Sequence, residues 1–409
     1  MRVRMGALGR MVAAVTAAGM LATAFSAAAA AEGQTPPTVG AIEGAYAFSS
    51  LGSVEETWEH RNALSADGAK AAVAVDVLDP DTGLPGRTQL MLIDTATGER
   101  APVAGGAAGS SCPAISGDGT MVAFRGDPTG TLPRPAGISG DWGYLYDMAT
   151  DATVPFPVPD PALRGDAYDD RLCPLAMSQD GTRVAFTLWE RVFVADFGAE
   201  GGSATPVLEG LGSDDVPQGT LSADGSRLLI DGRTYWDPDH GEMKDSVVID
   251  LAGSTELWKT SVEKDVDVAM SRDGRSVAWL EPGAVLSAED EIQRQEVVLA
   301  VRELASGAER RIVLGEEQEL FNELPEHWYV LLTADGAGAY VSMHDTMRRV
   351  DIASGAEETV VDASRALEGV TCANEEDCFP LIADPVISDD GAAVAFLLTE
   401  RGEYRQDVQ

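Results

Sequence analysis

The chain has 409 residues, a formal charge of −38, 44% hydrophobic residues and only four lysines, Lys70, Lys244, Lys259 and Lys264. A surface this negative repels nucleic acid and anionic lipid, because each phosphate contact needs a compensating cation. The apolar share is too large for a disordered acidic chain, so the composition excludes polyanionic partners and predicts a folded core.

The chain opens with Arg2, Arg4 and Arg10, runs through apolar residues from Met11 to Phe25, and reaches the small-residue run from Ser26 to Ala31 before Glu32. That layout predicts a secretory signal peptide over residues 1–31. Its removal takes away three arginines and moves the formal charge from −38 to −41. Residues 32–44 are expected to be a linker, 45–403 the folded body and 404–409 a tail. No later segment reaches the ~18 apolar residues of a membrane span. An exported protein, secreted or held in the cell envelope, is the expectation.

One phrase then recurs seven times. It reads Leu64-Ser65-Ala66-Asp67-Gly68, Ile115-Ser116-Gly117-Asp118-Gly119, Met177-Ser178-Gln179-Asp180-Gly181, Leu221-Ser222-Ala223-Asp224-Gly225, Met270-Ser271-Arg272-Asp273-Gly274, Leu332-Thr333-Ala334-Asp335-Gly336 and Ile387-Ser388-Asp389-Asp390-Gly391. The aspartates stand 44 to 62 residues apart. After several copies comes a large-small-large triplet: Val122-Ala123-Phe124, Val184-Ala185-Phe186, Val277-Ala278-Trp279 and Val394-Ala395-Phe396. Such alternation marks a strand, and Asp-Gly between two strands marks a tight turn. A second strand pair follows most copies, as in Leu90 to Asp94 before Thr97-Gly98, and Val247 to Asp250 before Gly253. Residues 288–296 and 362–369 are the places where a helical turn or two is expected.

Four short antiparallel strands repeated at this interval predict an all-β fold, a seven-bladed β-propeller of four-stranded blades. The last unit supplies only two strands, ending near Phe396. The missing third and fourth are expected from Tyr46-Ala47-Phe48 and from Ser53 to Thr57, split by Gly52, so that both termini close the last blade. Closure of this kind leaves no open sheet edge.

On these seven turns and the apolar strands behind them, the chain resembles the TolB-like β-propeller repeat family over residues from about 60 to 400. TolB itself carries an α/β domain ahead of its propeller, for which the segment before Tyr46 is too short. Peptidases that join similar blades to an α/β-hydrolase need a Gly-x-Ser-x-Gly elbow, and the chain has none. Sialidase-type aspartate boxes separate Asp from Gly by one residue, whereas here the two are adjacent.

Propeller geometry puts the Ser-x-Asp-Gly turns on one face and the long insertions, 77–88, 125–142, 157–174, 231–246, 281–296, 315–329 and 362–384, on the other. Long loops tend to carry function. Residues six to seven positions before each turn aspartate are expected around the channel mouth: His60, Arg61, Cys112, Cys173, Gln218, Asp267, Trp328, Tyr329 and Asp384, with His327 one step out. Trp142 closes one insertion. Tyr168, Asp169 and Asp170 crowd a second, and Trp236, Asp237, Asp239 and His240 a third. These loops are the candidate ligand-binding residues. Cys372 and Cys378 are spaced for a small disulfide loop, and Cys112 and Cys173 occupy matching positions in neighbouring units, so that a bridge is conceivable if their Cα atoms lie within about 7 Å.

No catalytic signature, metal set or cofactor motif emerges. The leading expectation is a non-catalytic monomer that binds a protein or peptide, of basic character, on its long-loop face. The alternative is an enzyme of the lyase or hydrolase type with a carbohydrate substrate at the channel mouth. The resemblance raises it, because some TolB-like propellers are sugar-acid lyases holding a metal with several histidines. The four histidines here do not align onto such a motif.

Overall fold

Each Ser-x-Asp-Gly phrase folds the same way. The Ser or Thr hydroxyl donates to the aspartate two residues on, at 2.6–2.9 Å in all seven copies. The same hydroxyl accepts the backbone N–H five residues ahead, as Ser65 does from Lys70 at 3.0 Å. These hydroxyls are buried, and a buried polar group must be satisfied. The aspartate also takes the N–H two residues on, Ala69 to Asp67 at 3.0 Å being the first case.

The structure is a computed structural model that describes residues 10–17, 46–54, 63–78, 85–105, 109–127, 132–133, 141–164, 172–198, 201–209, 218–238, 241–263, 266–289, 292–320, 328–343, 346–362 and 380–400. They form seven four-stranded antiparallel sheets. The first six blades follow the chain in order, from Ala63–Leu64 through Glu357–Asp362. The fourth consists of Gln218–Leu221, Arg227–Asp237, Gly241–Asp250 and Thr255–Glu263, and the fifth of Val268–Met270, Ser276–Glu289, Ile292–Glu303 and Glu309–Leu320. The seventh orders Pro380–Ile387, Ala393–Glu400, Arg10–Ala17 and Tyr46–Val54.

The seven turns join in a closed circle. Ala66 N–H donates to Gly117 O, Asp118 to Gln179, Gln179 to Ala223, Ala223 to Arg272, Asp273 to Ala334, Ala334 to Asp389, and Asp389 back to Ala66, at 2.6–2.9 Å. Basic side chains add a second set of links, each from one blade to the turn glycine carbonyl of the next: Lys70 to Gly119 at 2.9 Å, Arg183 to Gly225 at 2.7 Å, and Arg227 to Gly274. On the axis, Arg272 reaches across the circle to Gln179 Oε1 at 3.2 Å and to Asp389 Oδ1 at 3.4 Å. Gly117 leaves the room, since a Cβ there would lie 1.9 Å from Gln179 Oε1 and 2.5 Å from the Arg272 guanidinium.

The alternating triplets make the core between blades. Val122, Ala123 and Phe124, like Val184, Ala185 and Phe186, are fully buried, because a blade sheet packs on a neighbour through both faces and no face is left for water.

Three expectations change. The third strand of the seventh blade is Arg10–Ala17, inside the segment read as a leader, and Tyr46–Val54 forms the fourth as one strand with a register shift opposite Val12 and Ala13. The Met-Val-Ala-Ala-Val-Thr-Ala run fits an inner sheet position, being small, β-branched and uncharged. The insertions 231–246 and 281–296 are mostly extended hairpins rather than loops, with Arg227–Asp237 pairing Gly241–Asp250 and Ser276–Glu289 pairing Ile292–Glu303. Residues 292–296 are thus strand, not helix. Pairing satisfies backbone groups that a loop would leave to water. Of the second helical segment, 363–369 lie outside the described residues.

Two predictions follow from the turns. Gly68 has φ +68°, and a Cβ there would meet the Ala393 Cβ of the seventh blade at 2.6 Å, whereas Gly98, with φ +72°, has nothing within 4 Å. Gly98→Ala should cost only the about 1–2 kcal/mol of the left-handed conformation, and Gly68→Ala clearly more, by the further 1–3 kcal/mol or so of overpacking. Thermal unfolding of both variants measures the difference. The second concerns acid. Asp67 is held below the usual carboxylate range by the Ala69 N–H and the Ser65 hydroxyl, Asp224 by Ser222 and the Ser226 N–H, and Asp335 by the Ala337 N–H and Thr333. In Asp118 and Asp180 burial opposes the same bonds but is outweighed. Depressed carboxylates contribute stability that is complete above the unfolded value near pH 4 and is lost as pH falls through the lower folded values. The melting temperature should be flat in this respect above about pH 5 and fall below about pH 4.

Candidate functional site

The long-loop end of the inner strands is built by side chains that turn sideways, toward neighbouring blades. Cys112, at the start of Ser111–Ile115, has φ +50° within a register shift between Ser111 and Ala114. Cys173 begins Cys173–Met177, which also slips register, between Pro174 and Ala176. These irregularities accompany a Cys112–Cys173 disulfide that ties the second blade to the third, with Cα atoms 5.5 Å apart.

Between the fourth and fifth blades the tie is ionic. Lys244 Nζ lies 3.0 Å from Asp231 Oδ2 and 3.0 Å from Asp267 Oδ1, with side chains 7%, 2% and 8% exposed. Ser246 Oγ donates to Asp231 Oδ1 at 2.5 Å, and the Val268 N–H to Asp231 Oδ2 at 3.0 Å. Burial pushes the Asp231 carboxyl above its ordinary range, ahead of the opposing pull of Lys244. Burial acts to lower the Lys244 ammonium, but the charges of Asp267 and Asp231 overcome it and hold it above its ordinary range. Two carboxylates and one ammonium out of water form a costly cluster, tolerated only because each oxygen named has a donor.

Of the residues expected around the mouth, Cys112, Cys173, Asp267 and Trp328 are engaged with neighbouring blades. Asp267 faces Lys244, and its N–H donates to Trp328 O at 3.0 Å. Trp328 is 4% exposed within the core of the fifth and sixth blades. Trp142 is likewise a core residue, 2% exposed, with its indole N–H donating to Phe156 O at 3.1 Å. Gln218 is exposed at the start of its strand, opposite Asp231. Asp384 lies where the strand Pro380–Ile387 breaks register, between Ala383 and Val386. His60, Arg61, Tyr168, Asp169, Asp170, Asp239, His240, His327, Cys372 and Cys378 lie outside the described residues.

Beyond the ion cluster, Arg227–Asp237 and Gly241–Asp250 continue as a hairpin. Near its tip Tyr235 is 40% and Trp236 71% exposed, beside the half-buried Asp237. Among the described residues exposed aromatics are the exception, since Phe124, Phe156, Phe186, Phe193, Phe396, Tyr144 and Tyr340 are all buried. On the opposite face a groove between the sixth and seventh blades is lined by Asp335, Arg349, Asp351, Asp389 and Asp390. Of its carboxylates, those of Asp335, Asp351 and Asp390 are engaged by N–H groups of their own turns. Among the described residues no group of three or more His, Cys, Asp or Glu side chains is placed to hold a metal ion, and no helix is long and apolar enough to cross a membrane.

Sequence reasoning passed over Asp231, Lys244, Ser246 and Arg272. Two signals stood in view. Lys244 is one of only four lysines, and Arg272 is the one cation among the seven variable turn positions.

No family model matches the chain, and no curated protein matches it. Solved structures similar to it include TolB from Acinetobacter baumannii, at 16% identity and TM-score 0.38, covering 76% of this chain and 65% of that one. An oligogalacturonate lyase in complex with manganese is 12% identical, with TM-score 0.46 and coverage of 83% and 90%. The β-propeller domain of the Trilobed protease from Pyrococcus furiosus is 10% identical, with TM-score 0.45 and coverage of 75% and 85%. This chain spans slightly less than two thirds of that TolB chain, and at such scores none of the three bears on activity.

The disulfide carries a prediction of its own. Replacing Cys112 and Cys173 together by serine should lower stability by about 2–4 kcal/mol, the usual worth of a bridge closing a long loop. Denaturant unfolding of the double variant beside wild type, with non-reducing peptide mapping of the latter, measures it.

Proposed function

We propose that this chain is an exported, non-catalytic binding protein whose long-loop face holds a protein or peptide of basic character. The observation that carries the reading is the hairpin of the fourth blade, which presents Tyr235 and Trp236 to water next to Asp237. Tyr and Trp anchors beside rim charges are the usual core of a protein interface. The −38 charge favours a cationic partner and speeds its capture. The Cys112–Cys173 bridge supports an oxidising compartment, in keeping with the leader-like start of the chain. Cleavage after Ala31 would remove the strand Arg10–Ala17, and Tyr46–Val54 is the segment at hand to take its place beside Ala393–Glu400.

Trp236→Ala tests the reading without disturbing the core, because the side chain is 71% exposed. Wild type and variant are immobilised and offered the extracellular fraction of the source cells at low salt. Capture of a basic protein should fall about tenfold or more in the variant, as for an anchor worth at least about 1.4 kcal/mol, and should weaken for both as salt rises. Equal capture by the two, or retention indifferent to salt, would overturn the proposal.

A further inference from the structure

The ion cluster of the fourth blade has more order than an ion pair needs. Lys244 Nζ is equidistant, at 3.0 Å, from a carboxylate on its own sheet and one on the next blade. The two carboxylates are not alike. Asp231 is clamped from both sides, Oδ1 by the Ser246 hydroxyl at 2.5 Å and Oδ2 by the Val268 N–H at 3.0 Å. Lys244 stands in register with Val262, while Val266 and Val268 flank Asp267, and all three valines are buried. Water is therefore scarce around a primary amine held against a polarised carboxyl group.

The geometry points to a covalent amide between Lys244 Nζ and Asp231 Cγ, formed spontaneously within the folded blade, with Asp267 as the proton carrier. Both neighbouring carboxylates favour the ammonium, so a proton must leave the nitrogen before it can attack. Asp267 takes that proton and passes it to Asp231, whose burial already favours the neutral acid. The Nζ lone pair then forms the bond to Cγ, and the oxygen that becomes the amide carbonyl, Oδ1, is stabilised by the Ser246 hydroxyl as negative charge develops. The bond from Cγ to Oδ2 breaks, drawn by the Val268 N–H, and the second amine proton travels through Asp267 to the departing hydroxyl. An ammonium and a carboxylate become one amide and one water, and nothing is oxidised or reduced. The product replaces two buried charges with a neutral group, which removes the desolvation cost of both, and holding the reactants in contact supplies the effective concentration.

The bond would staple the second and third strands of the fourth blade at the base of the hairpin that carries Trp236, since Asp231 pairs with Ser246 and Thr234 with Lys244. It stands independently of what that hairpin binds.

Peptide mapping of the purified wild-type protein tests it directly. Trypsin cuts after Arg227, Arg233, Lys244 and Lys259. The expected result is a branched product in which peptide 228–233 is joined to 234–259, uncut at Lys244 and lighter by one water. Asp267→Asn should yield at least tenfold less of it, and Lys244→Arg none. Should either variant fail to fold, the wild-type map still decides. Separate, unmodified peptides 228–233, 234–244 and 245–259 would overturn the proposal. So would a water lost from 228–233 alone, the mark of a succinimide at Asp231-Gly232, or a link from Lys244 to Asp267.

Discussion

Seven backbone hydrogen bonds, each from the turn of one blade to the turn of the next, make a circle that closes without a gap from Ala66 round to Asp389 and back. Everything else in the fold is arranged to let those turns meet. The glycine must sit flush against the serine or threonine of the preceding blade: a Cβ on Gly119 would lie 3.3 Å from the Ser65 Cβ, and one on Gly225 3.4 Å from the Ser178 Cβ. The serine must bury its hydroxyl, and the aspartate must bind it there. A motif that reads as a local turn signal is thus the seam between blades, and its positive φ and its missing side chain are required for two separate reasons.

The two ends of the inner strands solve different problems. At the turn end, backbone groups and a few cations reaching forward to glycine carbonyls hold the blades together, which gives Lys70, Arg183 and Arg227 work in a chain otherwise short of positive charge. At the loop end, among the described residues, two junctions are tied by chemistry of their own: a disulfide between the second and third blades, and the buried Asp231, Lys244 and Asp267 between the fourth and fifth. The exposed aromatic hairpin grows from the second of these junctions.

The architecture was legible because it rests on repetition. Seven copies of a turn, each followed by alternating residues, specify blade count and strand order whatever lies between them. What could not be read was direction. Position along an inner strand placed Asp267, Cys112 and Trp328 at the mouth, yet sequence carries no record of whether a side chain points to the axis or to the next blade. A positive φ at Cys112 and a lysine donated from another strand, Lys244, turned two of them aside. The insertion at 231–246 was misread for a related reason: Gly232, Pro238 and a run of charges look like loop, whereas cross-strand pairing takes up Gly232 in one bulge between Asp231 and Arg233 and leaves Pro238 to the turn beyond Asp237. Pairing by Arg10–Ala17 was not anticipated, because the same apolar residues read as a leader.

Arg272 gives the molecule a polarity that the near-symmetry of its blades would not. It spans from the fifth blade to Gln179 of the third and Asp389 of the seventh at the level of the turns. Such a cross-brace joins blades that are not neighbours, as none of the turn-to-turn bonds in the circle does.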